Sequence, residues 1–174
     1  MRCSFVCLCA LLILGCDGNG DKSSKPKESE IAAHTDEQPE IEVRPLSDFY
    51  PLVGMSTNDP EFRTLIQKLD FSENPKRRGS WGGKFGVYLE EISNGTVFLS
   101  IRCNPFLDKK YTYQGDLPIG LIAGESKADV IQKIGEPRNS VIRSEYIEIL
   151  EYGKFELDIH SGKLMQIYVF ERFE

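Results

Sequence analysis

Hydrophobic and polar residues alternate in three segments of the last part of the chain, between residues 146 and 170. Every second residue in these segments is apolar or aromatic, which is the pattern of a β-strand with two different faces. The segments are separated by short turns, at Gly153-Lys154 and at residues 160–163. Short turns join antiparallel neighbours, so the pattern predicts a three-stranded antiparallel meander.

A short helix is predicted directly before these strands. Val130, Ile131 and Ile134 fall on one apolar stripe. Ser126 can cap the first turn, and Gly135 can end the helix because glycine tolerates a positive φ. A helix of about 8–10 residues is not stable alone in water, so we expect its apolar stripe to pack on the strands.

The same plan occurs in a weaker form earlier in the chain. Asp59-Pro60 is a typical helix start, and Ile66-Gln-Lys-Leu69 nearly repeats Ile131-Gln-Lys-Ile134. The hairpin signal Asn94-Gly95 then separates two alternating segments. We predict an α+β fold of two short-helix plus antiparallel β-meander units, packed as one domain after a disordered tether. The domain spans 45–174, with repeat-like halves at 51–102 and 117–170. The alternative is two unrelated α+β pieces.

Residues 1–15 have the pattern of a secretory signal peptide. Arg2 gives a positive start, and the apolar run from Phe5 to Leu14 is shorter than the roughly 20 residues that span a bilayer. The run ends in Leu12-Ile13-Leu14-Gly15-Cys16, which resembles the lipobox of bacterial lipoproteins. That resemblance implies lipidation of Cys16, which would become the new N-terminus. The alternative is an ordinary cleaved signal in which Cys16 has no role.

Residues 16–44 are predicted to be the lipidated N-terminus and a disordered linker. After Cys16 the segment has eight acidic and four basic residues, a formal net charge of −4, and is almost without apolar residues before Ile41. A flexible chain of this length spans about 30 Å. Acyl chains on Cys16 would make the lipid bilayer one partner. We expect a place in the bacterial cell envelope, outside the cytoplasm, on either the inner or the outer membrane.

The domain offers little for catalysis or for cofactors. Its formal net charge is −3, and nucleic-acid binders show a basic face, so nucleic acid is not an expected partner. The single histidine of the domain, His160, falls in a predicted turn, and zinc sites need several such ligands. Cys103 is the one cysteine of the domain, and it is either a buried strand-end residue or a reactive thiol. We predict no enzyme activity, no metal and no cofactor.

Two sets of residues are candidates for binding a protein partner. Arg77, Arg78 and Trp81 lie in a glycine-rich basic stretch that holds the only tryptophan, and Trp and Arg are common interface anchors. The alternative is a flexible connector whose Trp81 caps the core. The second set consists of aromatic residues on or near strands, which either form a binding face or line the core. Its members are Tyr88, Phe98, Tyr146, Tyr152 and Tyr168.

The string from Gly124 to Pro137, followed by aromatic strands, resembles a helix-turn-strand signature found in two groups of proteins. One is the small lipoproteins of the SmpA/BamE type, which assist assembly of outer-membrane barrels. The other is the β-lactamase-inhibitory-protein-like (BLIP-like) domains, tandem repeats that bind an enzyme on a concave sheet. The opening Leu-Pro-Ile-Gly-Leu at 117–121 is similar to that of some bacterial immunity proteins.

These resemblances imply a non-enzymatic, membrane-anchored lipoprotein that acts as a protein-binding module of the cell envelope. Its protein partner is unknown. The alternative function is an immunity or inhibitor protein that neutralises a toxin or an enzyme.

Overall fold

A computed structural model of the chain describes residues 43–173. These residues form an α+β fold in which one eight-stranded antiparallel sheet dominates and two short helices accompany it. The α+β class predicted from the sequence is confirmed. The predicted signal peptide, Cys16 and the linker up to residue 42 lie outside the described residues. The helices are α1 (Pro60–Lys68) and α2 (Lys127–Ile134), and the strands are β1 (Ser72–Glu73), β2 (Ser80–Gly82), β3 (Val87–Glu91), β4 (Val97–Arg102), β5 (Asn139–Ser144), β6 (Ile147–Glu151), β7 (Phe155–His160) and β8 (Lys163–Val169).

The strands lie in the order β1-β2-β3-β4-β8-β7-β6-β5. Within each group of four, consecutive strands pair with each other, and the two groups meet where β4 pairs with β8. Three of these strands are missing from the sequence prediction. β1 and β2 are only two and three residues long, and all six residues of β5 are exposed, so none shows an apolar alternation.

Helix α1 begins as the sequence predicts. Pro60 occupies the first helical position, and the Asp59 carboxylate accepts a hydrogen bond of 2.9 Å from the backbone N–H of Glu61. The side chain of Phe62 is buried and meets the ring of Trp81 edge-on, with the ring centroids 5.1 Å apart. This contact fixes α1 against β2.

Helix α2 also has the predicted ends. The Ser126 hydroxyl accepts a hydrogen bond of 3.2 Å from the backbone N–H of Asp129, and it donates to the Asp129 carboxylate at 2.5 Å. Gly135 ends the helix with a φ of 88°, a conformation that favours glycine. Val130, on the inner side of α2, has no exposed surface and belongs to the hydrophobic core.

The core lies between the helices and one face of the sheet. Residues of the central strands alternate between buried apolar side chains on this face and other side chains on the opposite face. The buried members on the central strands are Val87, Leu89, Val97, Leu99, Ile101, Leu150, Leu157, Ile159, Leu164, Ile167 and Val169.

Two connections differ from the sequence prediction. The turn between β7 and β8 is formed by Ser161 and Gly162, both with positive φ, so His160 is the last residue of a strand and not a turn residue. The stretch between β1 and β3 is not simply a flexible connector, because it contains strand β2, in which Trp81 is only 7% exposed. Residues 109–114, predicted to be either a strand or an ordered connector, form a connector that contains the short 3-10 helix Lys109–Tyr111.

Candidate functional site

The face of the sheet that points away from α1 and α2 gathers polar and aromatic side chains. Cα partners in register share a face, so Ser100 lies on the same side as Tyr168, and Arg102 on the same side as Gln166. We call this surface the open face, because both helices of residues 43–173 pack on the other side. Its members on β2, β3, β4, β7 and β8, together with the adjoining Phe170, are Ser80, Tyr88, Glu90, Phe98, Ser100, Arg102, Glu156, Asp158, His160, Gln166, Tyr168 and Phe170. Ile147, Ile149 and Glu151 of β6 lie on the same face.

An aromatic cluster occupies the junction of β4 and β8 on the open face. Phe98 meets Tyr168 edge-on with ring centroids 6.0 Å apart, and it lies tilted against Phe170 at 5.2 Å. Phe98, Tyr168 and Phe170 are only partly buried. The cluster is therefore a preformed apolar surface with a phenol at its edge, which is a common composition for a protein-binding surface.

Polar groups on the open face are held by specific contacts around this cluster. The guanidinium of Arg102 lies 4.4 Å from the ring centroid of Tyr88 and donates a hydrogen bond of 3.2 Å to the Tyr88 hydroxyl. The side-chain amide of Gln166 donates to the Ser100 hydroxyl at 2.6 Å. These contacts limit the rotamers of the side chains, which lowers the entropy cost of binding a partner.

One end of the open face is acidic. Asp158 is buried at 8% exposure, and its Oδ1 lies 3.1 Å from Nε2 of His160. Apart from this contact, neither atom has a hydrogen-bond partner in residues 43–173. Glu156 lies directly opposite Glu151 of the neighbouring strand. Burial raises the pKa of Glu156, and the charge of Glu151 raises it further.

The hydroxyl of Tyr168 is affected by the same acidic groups. Burial raises its pKa to about 12, and the nearby carboxylates of Asp158 and Glu90 add to this shift. The phenol is therefore protonated at neutral pH and can donate a hydrogen bond to a partner.

Of the predicted binding residues, the structure brings Tyr88, Phe98 and Tyr168 together on the open face. Arg77 joins them at the rim, where its guanidinium forms a 2.7 Å ion pair with Glu90. Arg78 lies elsewhere, in a cleft beside α1 that Thr57 also lines.

The remaining three predicted residues are not part of this surface. Trp81 is buried in the core, so it has the structural role that the sequence left as an alternative. Tyr152 stacks on Phe155 with ring centroids 4.9 Å apart, and its hydroxyl donates to the carbonyl of Gly135 at the end of α2. Tyr146 is 62% exposed in the turn between β5 and β6.

Sequence reasoning missed Arg102, Asp158, His160 and Gln166 as parts of this surface. The sequence does contain a signal for Arg102. Residues two apart on one strand share a face, so Phe98, Ser100 and Arg102 are expected on the same face. The neighbouring strands could not be placed from the sequence, because β4 and β8 pair across 66 residues, the separation of Ser100 and Gln166.

The described residues offer few groups for metal or thiol chemistry. Residues 43–173 contain no group of three or more His, Cys, Asp or Glu side chains arranged to hold a metal ion. Cys103 is 1% exposed in the core, and burial raises its pKa to about 12, as expected for a structural cysteine. Neither helix in this part of the chain is long and apolar enough to cross a bilayer.

Comparisons with known proteins give no relative: no family model, no curated protein and no solved structure matches the chain.

Proposed function

We propose that the protein is a non-enzymatic, lipid-anchored binding module of the bacterial cell envelope, and that the open face binds a protein partner. The observation that carries this proposal is the aromatic cluster of Phe98, Tyr168 and Phe170 on a helix-free sheet face. Aromatic residues with fixed rotamers bury a large area at a low entropy cost, which makes them frequent interface hot spots.

The groups around the cluster supply specificity. Arg102 and Tyr88 lie on one side, and Asp158 and Glu156 lie on the other. A partner that places an acidic group near Arg102 and a basic group near Asp158 gains hydrogen bonds and charge complementarity, whereas the opposite arrangement repels.

We further propose that the two groups of four strands descend from one helix-plus-meander unit. Each group follows a short helix, and the two groups join through their last strands. The similar strings Ile66-Gln-Lys-Leu69 and Ile131-Gln-Lys-Ile134 lie at the C-terminal ends of α1 and α2. This organisation favours the BLIP-like plan, in which a tandem repeat presents a sheet to a protein.

Lipid attachment at Cys16 would hold this module at a membrane. The lipobox-like string Leu12-Ile13-Leu14-Gly15-Cys16 supports it. Radiolabelled palmitate incorporated by the wild type and absent from a Cys16→Ser variant is the expected result. Equal labelling of the two proteins contradicts the assignment of Cys16.

Affinity capture from membranes tests the open face. The full-length lipidated protein is compared with a Phe98→Ala/Tyr168→Ala variant and with a Lys68→Ala control on α1, an exposed residue away from the sheet. Loss of two hot-spot aromatics costs about 2 kcal/mol or more, so we expect recovery of the partner to fall at least about tenfold in the double variant only. Equal recovery by all three proteins contradicts a role for the open face.

A further inference from the structure

The connection between β4 and α2 exposes several large apolar side chains. Phe106 is 75% exposed and Ile122 61%, and Leu107 and Ile119 are also exposed. We call these four residues the linker patch. Leu107 and Ile122 line one open cleft of about 790 Å³. Single exposed apolar residues are ordinary, but four in one connection indicate a surface that is covered in the cell.

The backbone of the linker patch is strained at Ile119. This residue has φ 52° and ψ 28°, in the left-handed region, although it is β-branched. Such a conformation is unfavourable for a side chain branched at Cβ. The side chain of Ile119 is also exposed to solvent, so its burial does not compensate for the unfavourable backbone conformation. Strain of this kind is typical of a functional site.

Lysines lie among the charged groups around the linker patch, and most of these groups are paired. Asp108 is paired with Lys110 at 3.3 Å, and Glu125 is paired with Lys133 at 2.6 Å. Lys109 lines the cleft together with Asp116, and it makes no ion pair within residues 43–173. Close by, Lys163 donates to the carbonyl of Gly124. Lysines beside apolar side chains are a frequent composition of surfaces that touch anionic lipid headgroups.

The N-terminal end of the described chain lies next to this connection. The hydroxyl of Tyr113 donates a hydrogen bond of 2.9 Å to the carbonyl of Arg44. Val43 and Arg44 line a small cleft with Lys109 and Gln114, and Lys109 and Gln114 also line the larger cleft beside the linker patch. The described chain therefore begins beside the linker patch.

We propose that the linker patch docks the domain onto the lipid bilayer to which Cys16 attaches it. This inference rests on the proposed lipid anchor. The composition of residues 17–42 predicts a reach of only about 30 Å, so the patch would face the membrane at a high effective concentration. Phe106 and Ile122 insert between the lipids to the depth of the acyl-chain segments next to the headgroups. Lys109 meets a headgroup phosphate. Docking fixes the orientation in which the open face meets its partner.

Depth-dependent quenching tests the docking. The full-length lipidated protein is reconstituted in vesicles of about three parts phosphatidylethanolamine to one part phosphatidylglycerol, with or without brominated acyl chains. A Phe106→Trp variant carries the probe in the linker patch, and Ile122→Trp is a second probe of the same surface. Tyr146→Trp, in the exposed turn between β5 and β6, is the matched control. The native Trp81 is buried and gives a common background.

We expect brominated lipid to quench the added emission at 106 and 122 at least about twofold and to leave the probe at 146 unchanged. In vesicles without bromine, the emission at 106 and 122 should be blue-shifted relative to that at 146, because these indoles leave water. Solvent-like, unquenched emission at 106 and 122 in protein that floats with the vesicles would overturn the docking and leave the lipid anchor intact. Equal quenching at all three positions would also overturn it, since that result means non-specific adsorption. Protein that does not float contradicts the anchor itself, and the docking with it.

Discussion

The side-chain amide of Gln166 donates a 2.6 Å hydrogen bond to the hydroxyl of Ser100 at the junction of the two strand groups. Ser100 is 1% exposed. Its strand, β4, pairs with β8, and this pairing joins the two groups of four strands. The bond therefore satisfies a buried hydroxyl and links the halves of the sheet beneath the aromatic cluster. It also fixes the side-chain positions that the proposed partner would meet.

A double-mutant cycle measures this link. Ser100→Ala leaves the Gln166 amide without its acceptor, and Gln166→Leu leaves the buried Ser100 hydroxyl without its donor. Each single change is expected to cost about 1–2 kcal/mol of unfolding free energy, and the double variant less than the sum. Urea denaturation followed by circular dichroism gives the values. Strictly additive costs would show that the two side chains are not coupled.

Substitution of two glycines separates crowding from backbone strain. Gly86 and Gly162 have similar positive φ values of 71° and 76°, but a Cβ at Gly86 would overlap the backbone of Thr112 and Tyr113, whereas a Cβ at Gly162 meets nothing within 4 Å. We expect Gly162→Ala to cost about 1 kcal/mol, from strain alone, and Gly86→Ala about 3 kcal/mol or more. Equal losses of unfolding free energy would show that the connection does not pack against Gly86.

The thiol of Cys103 is expected to react slowly in the folded domain. Burial raises its pKa to about 12, so the thiolate is scarce near pH 8, and the side chain is out of reach of reagent. A thiol reagent should label Cys103 at the rate of unfolding in buffer and within seconds in denaturant. In the proposed mature chain Cys103 is the one free thiol, because residues 1–15 are removed and the sulfur of Cys16 carries lipid. Immediate labelling without denaturant would contradict the burial.

The raised pKa of Tyr168 predicts a loss of stability at alkaline pH. Its hydroxyl ionises near pH 12 in the folded protein and near 10 when unfolded. The unfolded state is therefore the first to lose this proton, so the contribution of Tyr168 is complete below about pH 10 and disappears as the pH rises to about 12. Tyr168→Phe should make unfolding free energy less dependent on pH in that window. An unchanged slope would mean that Tyr168 titrates normally.

Local features of the fold follow from the sequence, and long-range ones do not. Asp59-Pro60 and Ser126 mark the helix starts correctly because caps act within one turn. The burial of Asp158 could not be predicted, since its strand pattern indicates a solvated face. In the fold its register partners are Gln166 on β8 and the buried Ile149 on β6, and the sequence does not show that these strands are its neighbours on this face. The approach of Phe98 to Tyr168 depends on the β4–β8 pairing, for which no local signal exists.

Site-specific photo-crosslinking tests the central claim most directly. A photoreactive phenylalanine analogue replaces Phe98 on the open face or Lys68 on α1, and the full-length lipidated protein is irradiated in intact cells. The account predicts one defined higher-mass adduct with a protein at position 98 and none at 68, and the adduct at 98 should disappear when Tyr168→Ala is added. Adducts of equal yield at both positions, or none at position 98, would contradict a partner-binding role of the open face.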